Sequence, residues 1–235
     1  MTREERILAV LSDYFYRMVP EEPEPPSAWD ANYTLIALCG NRLVNYERAW
    51  QLPFTMMERT GYEDPLEMCR ALTVEELEAA IRVPPCGHRM PRRVALAMHG
   101  TARAIAEDYS GDARTLYHGQ PLAVVQERLG ALSGYGRKLS RLAMLIILFH
   151  WGGEVGEGIL DCAPDLHVCR VLHRLGLIAE PDPELALQAA RKLSPLAYYL
   201  ADGAFGLGTT LCGAKPACGD CPLHSDCPLG TKRPV

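Results

Sequence analysis

The sequence predicts an all-α protein. Apolar positions recur at helical spacing in nearly every segment. Capping residues, prolines and glycines punctuate those segments where helices would begin and end. Alternating β-branched runs bounded by turns, and internal repeats, are both missing.

Taken in order, Thr2 with Glu5 forms a capping-box pattern ahead of Ile7, Leu8, Val10, Leu11, Tyr14 and Phe15. The proline-rich acidic stretch 20–28 ends that helix and reads as an extended linker. Helices are expected over about 30–39 and 42–59. Thr73 with Glu76 caps a short helix through Ile81, which Pro84 and Pro85 stop. Pro91 suits the first turn of a helix running to about 108. Helices over 121–130 and 137–150 flank a glycine turn, and three more fit 165–175, 183–193 and 195–211. Residues 152–164 carry four glycines and Pro164 and read as an irregular connection with room for a small hairpin.

The 235 residues suffice for one large domain or two modest ones with real cores. Residues 1–19 carry Arg3, Glu4, Glu5, Arg6 and Asp13, unlike a signal peptide. The longest uncharged apolar run, Leu142 to Gly153, is about half the ~20 residues of a membrane span. A soluble, cytoplasmic protein is therefore expected. Nine cysteines without an export signal argue against a disulfide framework. Cys39, Cys69, Cys86, Cys162 and Cys169 have no mutual spacing that suggests a site and are expected to be buried small hydrophobes.

The net charge is −5, but it is unevenly spread. Residues 1–85 carry 8 Lys/Arg against 15 Asp/Glu, residues 86–145 carry 9 against 4, and residues 146–235 carry 7 against 10. A basic central segment inside an acidic chain allows a local phosphate-binding face, although a solvated helix face accounts for it equally well.

The remaining four cysteines, Cys212, Cys218, Cys221 and Cys227, fall within the last 24 residues. Gly213, Pro216, Gly219 and Pro222 make their segment a loop. Four thiols in one short loop can converge on one centre, either an iron–sulfur cluster or a single zinc ion. At the middle of the chain, residues 132–138 read Leu-Ser-Gly-Tyr-Gly-Arg-Lys. Gly134 and Gly136 allow a tight turn, and the helix that follows would begin with free N–H groups suited to a phosphate, with Arg137 and Arg141 nearby. An ordinary αα-hairpin accounts for the same residues.

Leu132-Ser-Gly134-Tyr-Gly136-Arg-Lys138 resembles the helix–hairpin–helix of the endonuclease III family of DNA glycosylases. Asp165-Leu-His-Val-Cys-Arg170-Val171 resembles that family's Asp-Thr-His-(Ile/Val)-x-Arg-Val, and the C-terminal loop resembles its Cys-x6-Cys-x2-Cys-x5-Cys. The three motifs stand in the family's order. The resemblance implies a six-helix barrel over 31–149, and a second domain formed by 1–30 and 150–235 that a 4Fe–4S cluster on Cys212, Cys218, Cys221 and Cys227 closes. It also implies a groove between the two where Lys138 and Asp165 face one another.

By the same resemblance the protein is a monomeric base-excision repair enzyme, nucleoid-associated and prokaryotic, acting on duplex DNA with oxidised pyrimidines or abasic sites. Lys138 would be the nucleophile that attacks C1′ and forms a Schiff base, its pKa lowered by partial burial and cationic neighbours, and Asp165 the carboxylate that stabilises the sugar cation. Asp161 competes for that role, but Arg170 lies five residues after Asp165, as in the family, and nine after Asp161. Asp165 would also cap the next helix. Gly134, Tyr135, Gly136, Arg137 and Arg141 would contact DNA. The base must leave the stack to react, and Asn41 and His88 are candidates to fill the gap.

The chain departs from the family pattern at three places. The first cysteine gap is five residues, 213–217, rather than six. Lys138 and Asp165 are 27 positions apart, longer than the family's spacing, with the extra residues between Gly152 and Ala163. The family's Ser-Ala-Gln near residue 40 is missing. A monofunctional adenine- or mismatch-type glycosylase and a DNA-binding paralogue with little activity are the competing functions.

Overall fold

The computed structural model describes residues 1–42, 44, 46–85, 87–153, 162, 164–194 and 197–232, without the side chains of Tyr46 and Tyr199. Every regular element among them is helical. No helix among them is long and apolar enough to cross a membrane. The chain divides into two compact units, Pro23–Gly158 and Met1–Glu22 with Ile159–Val235.

The continuous unit holds α2 (Ala28–Leu38), α3 (Tyr46–Thr60), α4 (Pro65–Ala71), α5 (Val74–Arg82), α6 (Pro91–Asp108), α7 (Leu122–Ala131) and α8 (Arg137–Leu145). A 3-10 turn lies at Ala113–Leu116, and a π turn, Ile146–His150, continues α8. Its boundary falls inside the proline run, at 22/23, rather than at 30/31 as the sequence reading has it. The reason is α2, which packs on α3, α4 and α6 and is buried from Ala31 to Leu38. Buried polar atoms on α2 are satisfied: Asn32 donates to the Gly111 carbonyl (2.8 Å) and accepts from the Ala113 N–H (2.9 Å). Tyr33 stacks on Trp29 and leans on Phe54.

The discontinuous unit holds α1 (Arg3–Tyr16), α9 (Leu166–Arg174), α10 (Pro183–Leu193) and α11 (Ala197–Thr210). Its core combines Ile7 and Leu11 of α1 with Val168, Val171 and Leu172 of α9, Ala186, Leu187 and Ala190 of α10, and Leu200, Ala204 and Leu207 of α11. α1 and α11 are in close contact: a Cβ at Gly203 would sit 1.8 Å from the Leu11 carbonyl oxygen, so only glycine admits this approach. The capping boxes expected at Thr2/Glu5 and Thr73/Glu76 both form. Cys39, Cys69, Cys162 and Cys169 are buried, as expected of small hydrophobes. Cys86, Asp161 and most of the 152–163 insertion lie outside the described residues.

Candidate functional site

In the continuous unit, α7 and α8 are joined by the turn 132–136. Gly134 takes a φ of +77°, and a Cβ there would meet the Ala97 Cβ at 2.6 Å and the Arg42 guanidinium at 2.8 Å. The turn is pinned to its neighbours. Thr101 donates to the Ser133 carbonyl (3.2 Å), Ser133 to the Leu96 carbonyl (3.3 Å), and Arg42 to the Gly134 carbonyl. Tyr135 is buried, and its hydroxyl donates to the Leu35 carbonyl at 2.6 Å. It therefore supports the turn from inside; its ring is not offered to a ligand. Replacing Gly134 with Ala combines left-handed backbone strain with a clash, and is expected to cost about 2 kcal/mol in urea denaturation.

The turn presents the start of α8. Gly136 is its N-cap, and no side chain caps the first turn. The positive end of the helix dipole therefore lies at the turn. Arg137 and Lys138 are exposed there, and Arg141 is half-buried one turn on. The partial burial expected for Lys138 is not found; α8 buries Leu139, Ser140, Ala143 and Met144 instead, which turns the second residue of the helix outward.

Asn41 is half-buried in the loop after α2. His88 is only 1% exposed: its Nδ1 accepts from the Met90 N–H (3.0 Å), and the Gly40 and Arg42 carbonyls face it. Burial lowers its pKa, against the pull of those carbonyls. So placed, His88 underpins the loop that carries Asn41 and presents no imidazole to a duplex.

In the discontinuous unit, Asp165 is the N-cap of α9 and accepts from the N–H groups of His167 (2.8 Å) and Val168 (3.0 Å), the capping role read from the sequence. Arg170, read from the sequence only as a spacing marker, joins α9 to the end of α11. It donates to the carbonyls of Gly208 and Cys212, both at 2.9 Å, and its guanidinium lies 2.9 Å from His167 Nδ1. Arg174 donates to the carbonyls of Cys212 (3.2 Å) and Gly213 (2.6 Å) and to the Cys212 sulfur (3.4 Å).

The four C-terminal cysteines line one cavity with Leu211, Pro216, Ala217 and Leu229. Among the described residues, no three His, Cys, Asp or Glu side chains are arranged to hold a single metal ion. A set of four thiols around one apolar-walled cavity, with an arginine N–H donated to one sulfur, fits the thiolate ligation of an iron–sulfur group. The loop is tied down independently of its sulfurs. His224 Nδ1 meets the Cys218 carbonyl at 2.9 Å, and Asp226 pairs with Arg6 of α1 at 2.5 Å. These ties of Arg6, Arg174 and His224 are not legible in the sequence, because their partners are backbone atoms or lie far along the chain.

No protein-family model and no curated protein matches the chain. Solved structures do. A trapped covalent endonuclease III–DNA intermediate matches at a TM-score of 0.69 and 21% identity, covering 99% of both chains. A non-covalent endonuclease III–DNA complex matches at 0.69 and 22%, again over 99% of both. A thermostable thymine-DNA glycosylase matches at 0.63 and 15%, over 98% of both. At these identities the likeness is one of fold, and over its whole length the chain has the all-α fold of the endonuclease III structures.

Proposed function

We propose that the protein belongs to the endonuclease III family and is a DNA glycosylase of base-excision repair. The observation that carries the reading is Lys138, exposed at the start of α8 behind a pinned glycine turn, in a chain with the fold of a covalently trapped endonuclease III–DNA intermediate. The positive end of α8, with Arg137 beside it, suits a DNA phosphate. Asp165, seated on two N–H donors, supplies a fixed negative charge for the cation that develops on the sugar as the base leaves.

The finer assignment is a bifunctional enzyme acting on oxidised pyrimidines. The Lys138 amine attacks C1′, the base departs, and the resulting Schiff base allows β-elimination of the 3′ phosphate. A thymine-DNA glycosylase of the same fold makes a monofunctional enzyme the second reading. Sodium borohydride with abasic and lesion-bearing duplexes tests both. A covalent protein–DNA adduct with strand nicking supports the lyase; base release without adduct or nicking favours the second reading; no base release on any lesion sinks the glycosylase.

Cys212, Cys218, Cys221 and Cys227 would hold a 4Fe–4S cluster. Such a cluster would hold the C-terminal loop together, since glycosidic cleavage needs no electrons. Arg170, Arg174 and Arg6 fasten that loop to α9 and α1. Purified protein is expected to be brown, to absorb near about 400 nm and to carry about four irons per chain. Colourless protein with one zinc would overturn the assignment.

A further inference from the structure

α9 and α11 lie side by side and run in the same direction. The Phe205 ring meets the His167 ring edge-on, with centroids 5.5 Å apart. Further along, Gly208 lies against His167 and Val171, and the Gly208 and Cys212 carbonyls accept from Arg170. From the Phe205–His167 contact, the same register run backward takes α11 to Asp202 and α9 to its N-cap, Asp165. Asp202 is partly buried, and its Oδ2 is fully buried with no hydrogen-bond partner. An ionised carboxylate pays heavily for such a position.

Other packed elements bring other chemistry to this stretch. α1 offers Leu11 at Gly203 and Tyr14 at Gly206, where Met18 of the segment after α1 also packs. α10 packs through Ala186, Leu187 and Ala190. On α9, His167 is turned to Phe205, and Arg170 to the Gly208 and Cys212 carbonyls. Burial, and then the Asp165 charge, push the Asp202 carboxyl up to about 7.

We propose that Asp202 is a pH-sensitive neighbour of Asp165: its buried, unpartnered carboxyl carries a proton, so that no second negative charge lies beside the start of α9, where the His167 and Val168 N–H groups hold Asp165. The inference rests on the glycosylase reading, in which Asp165 is the carboxylate beside the sugar. Loss of the Asp202 proton to solvent puts a second negative charge next to Asp165, and repulsion between the two then disturbs that seat.

Two measurements on the full chain test this. In the first, the aspartate carboxyl carbons are followed by NMR against pH. A resonance titrating near pH 7 is expected, absent in Asp202→Asn and moved to lower pH in Asp165→Asn. Titration of every aspartate in the ordinary acidic range overturns the pair. In the second, base release is timed in a single turnover between pH 6 and 9. The wild type is expected to lose about tenfold in rate on the alkaline side, while Asp202→Asn stays flat there. Superimposable profiles overturn the influence of Asp202 on Asp165. Failure of the wild type to release any base would instead sink the glycosylase reading, and the carbon titration would still decide whether the carboxyls are coupled.

Discussion

Lys138→Ala is expected to abolish the borohydride-trapped adduct and to lower strand nicking at abasic sites by at least about a thousandfold, while the protein remains folded. The two halves of this expectation have separate grounds. The chemical half follows from the step itself: a Schiff base needs a primary amine, and alanine offers none. The structural half follows from exposure. The side chain stands at the second position of α8, and the burial of that helix is carried by Leu139, Ser140, Ala143 and Met144. Alanine is a strong helix former at such a position, so the melting midpoint should change by no more than about 0.5 kcal/mol in equivalent stability. The comparison with Asp165→Asn sharpens the test. Asparagine still caps a helix, so α9 should keep its start, while the fixed charge is lost. A Lys138→Ala protein that is trapped as well as the wild type would exclude this amine as the nucleophile.

The parts of this molecule that could be read from its sequence are those governed by neighbours in the chain. Thr2/Glu5 and Thr73/Glu76 cap helices because the partners are three residues apart. The Ser27/Asp30 box works in the same way, yet it hides behind a proline run that reads as linker. α4 has a start signal in Asp64-Pro65, but seven residues are too few for a periodic pattern to stand out. The helix expected over 137–150 is present but changes character at Ile146, where its backbone takes a π turn that no local residue announces.

The candidate site divides along the same line. Asp165 and its capping role are both legible in the sequence, since the cap depends on the next three residues. Tyr135 and His88 sit in turns, where the sequence places them facing outward. Tyr135 is buried because its hydroxyl meets the Leu35 carbonyl, and His88 because it lies against the loop of Gly40 and Arg42, all distant in sequence. Asp202 gave no signal at all. Its meaning depends on the register between α9 and α11, and that register is set by Gly208 and Phe205 against His167. The sequence motif that carries Asp165 thus says nothing of the carboxyl beside it.

That second carboxyl has a thermodynamic consequence separate from catalysis. Asp202→Asn is expected to stabilise the protein at pH 8 and to leave it unchanged near pH 3. In the folded chain the carboxyl is pushed up to about 7, first by burial and then by Asp165, against about 3.9 in an unfolded chain. Between those two values the folded state binds a proton that the unfolded state does not. Stability therefore falls as pH rises through that window and levels off above it. Below about pH 3.9 both states are protonated, and the side chain exerts no penalty.

Asparagine has nearly the shape of the protonated acid and never ionises, so the variant escapes the whole loss. With about three pH units between the folded and unfolded values, the gain approaches about 4 kcal/mol at pH 8 as an upper bound. Urea denaturation of both proteins at pH 3.5, 5.5 and 8 measures it, read as the difference between variant and wild type so that other titrating groups cancel. The gap should open steadily with pH. A constant difference across the three values would mean that Asp202 is no more protonated in the folded chain than in water. A gap that opens while base release loses its alkaline fall would show one buried acid trading stability for control of its neighbour.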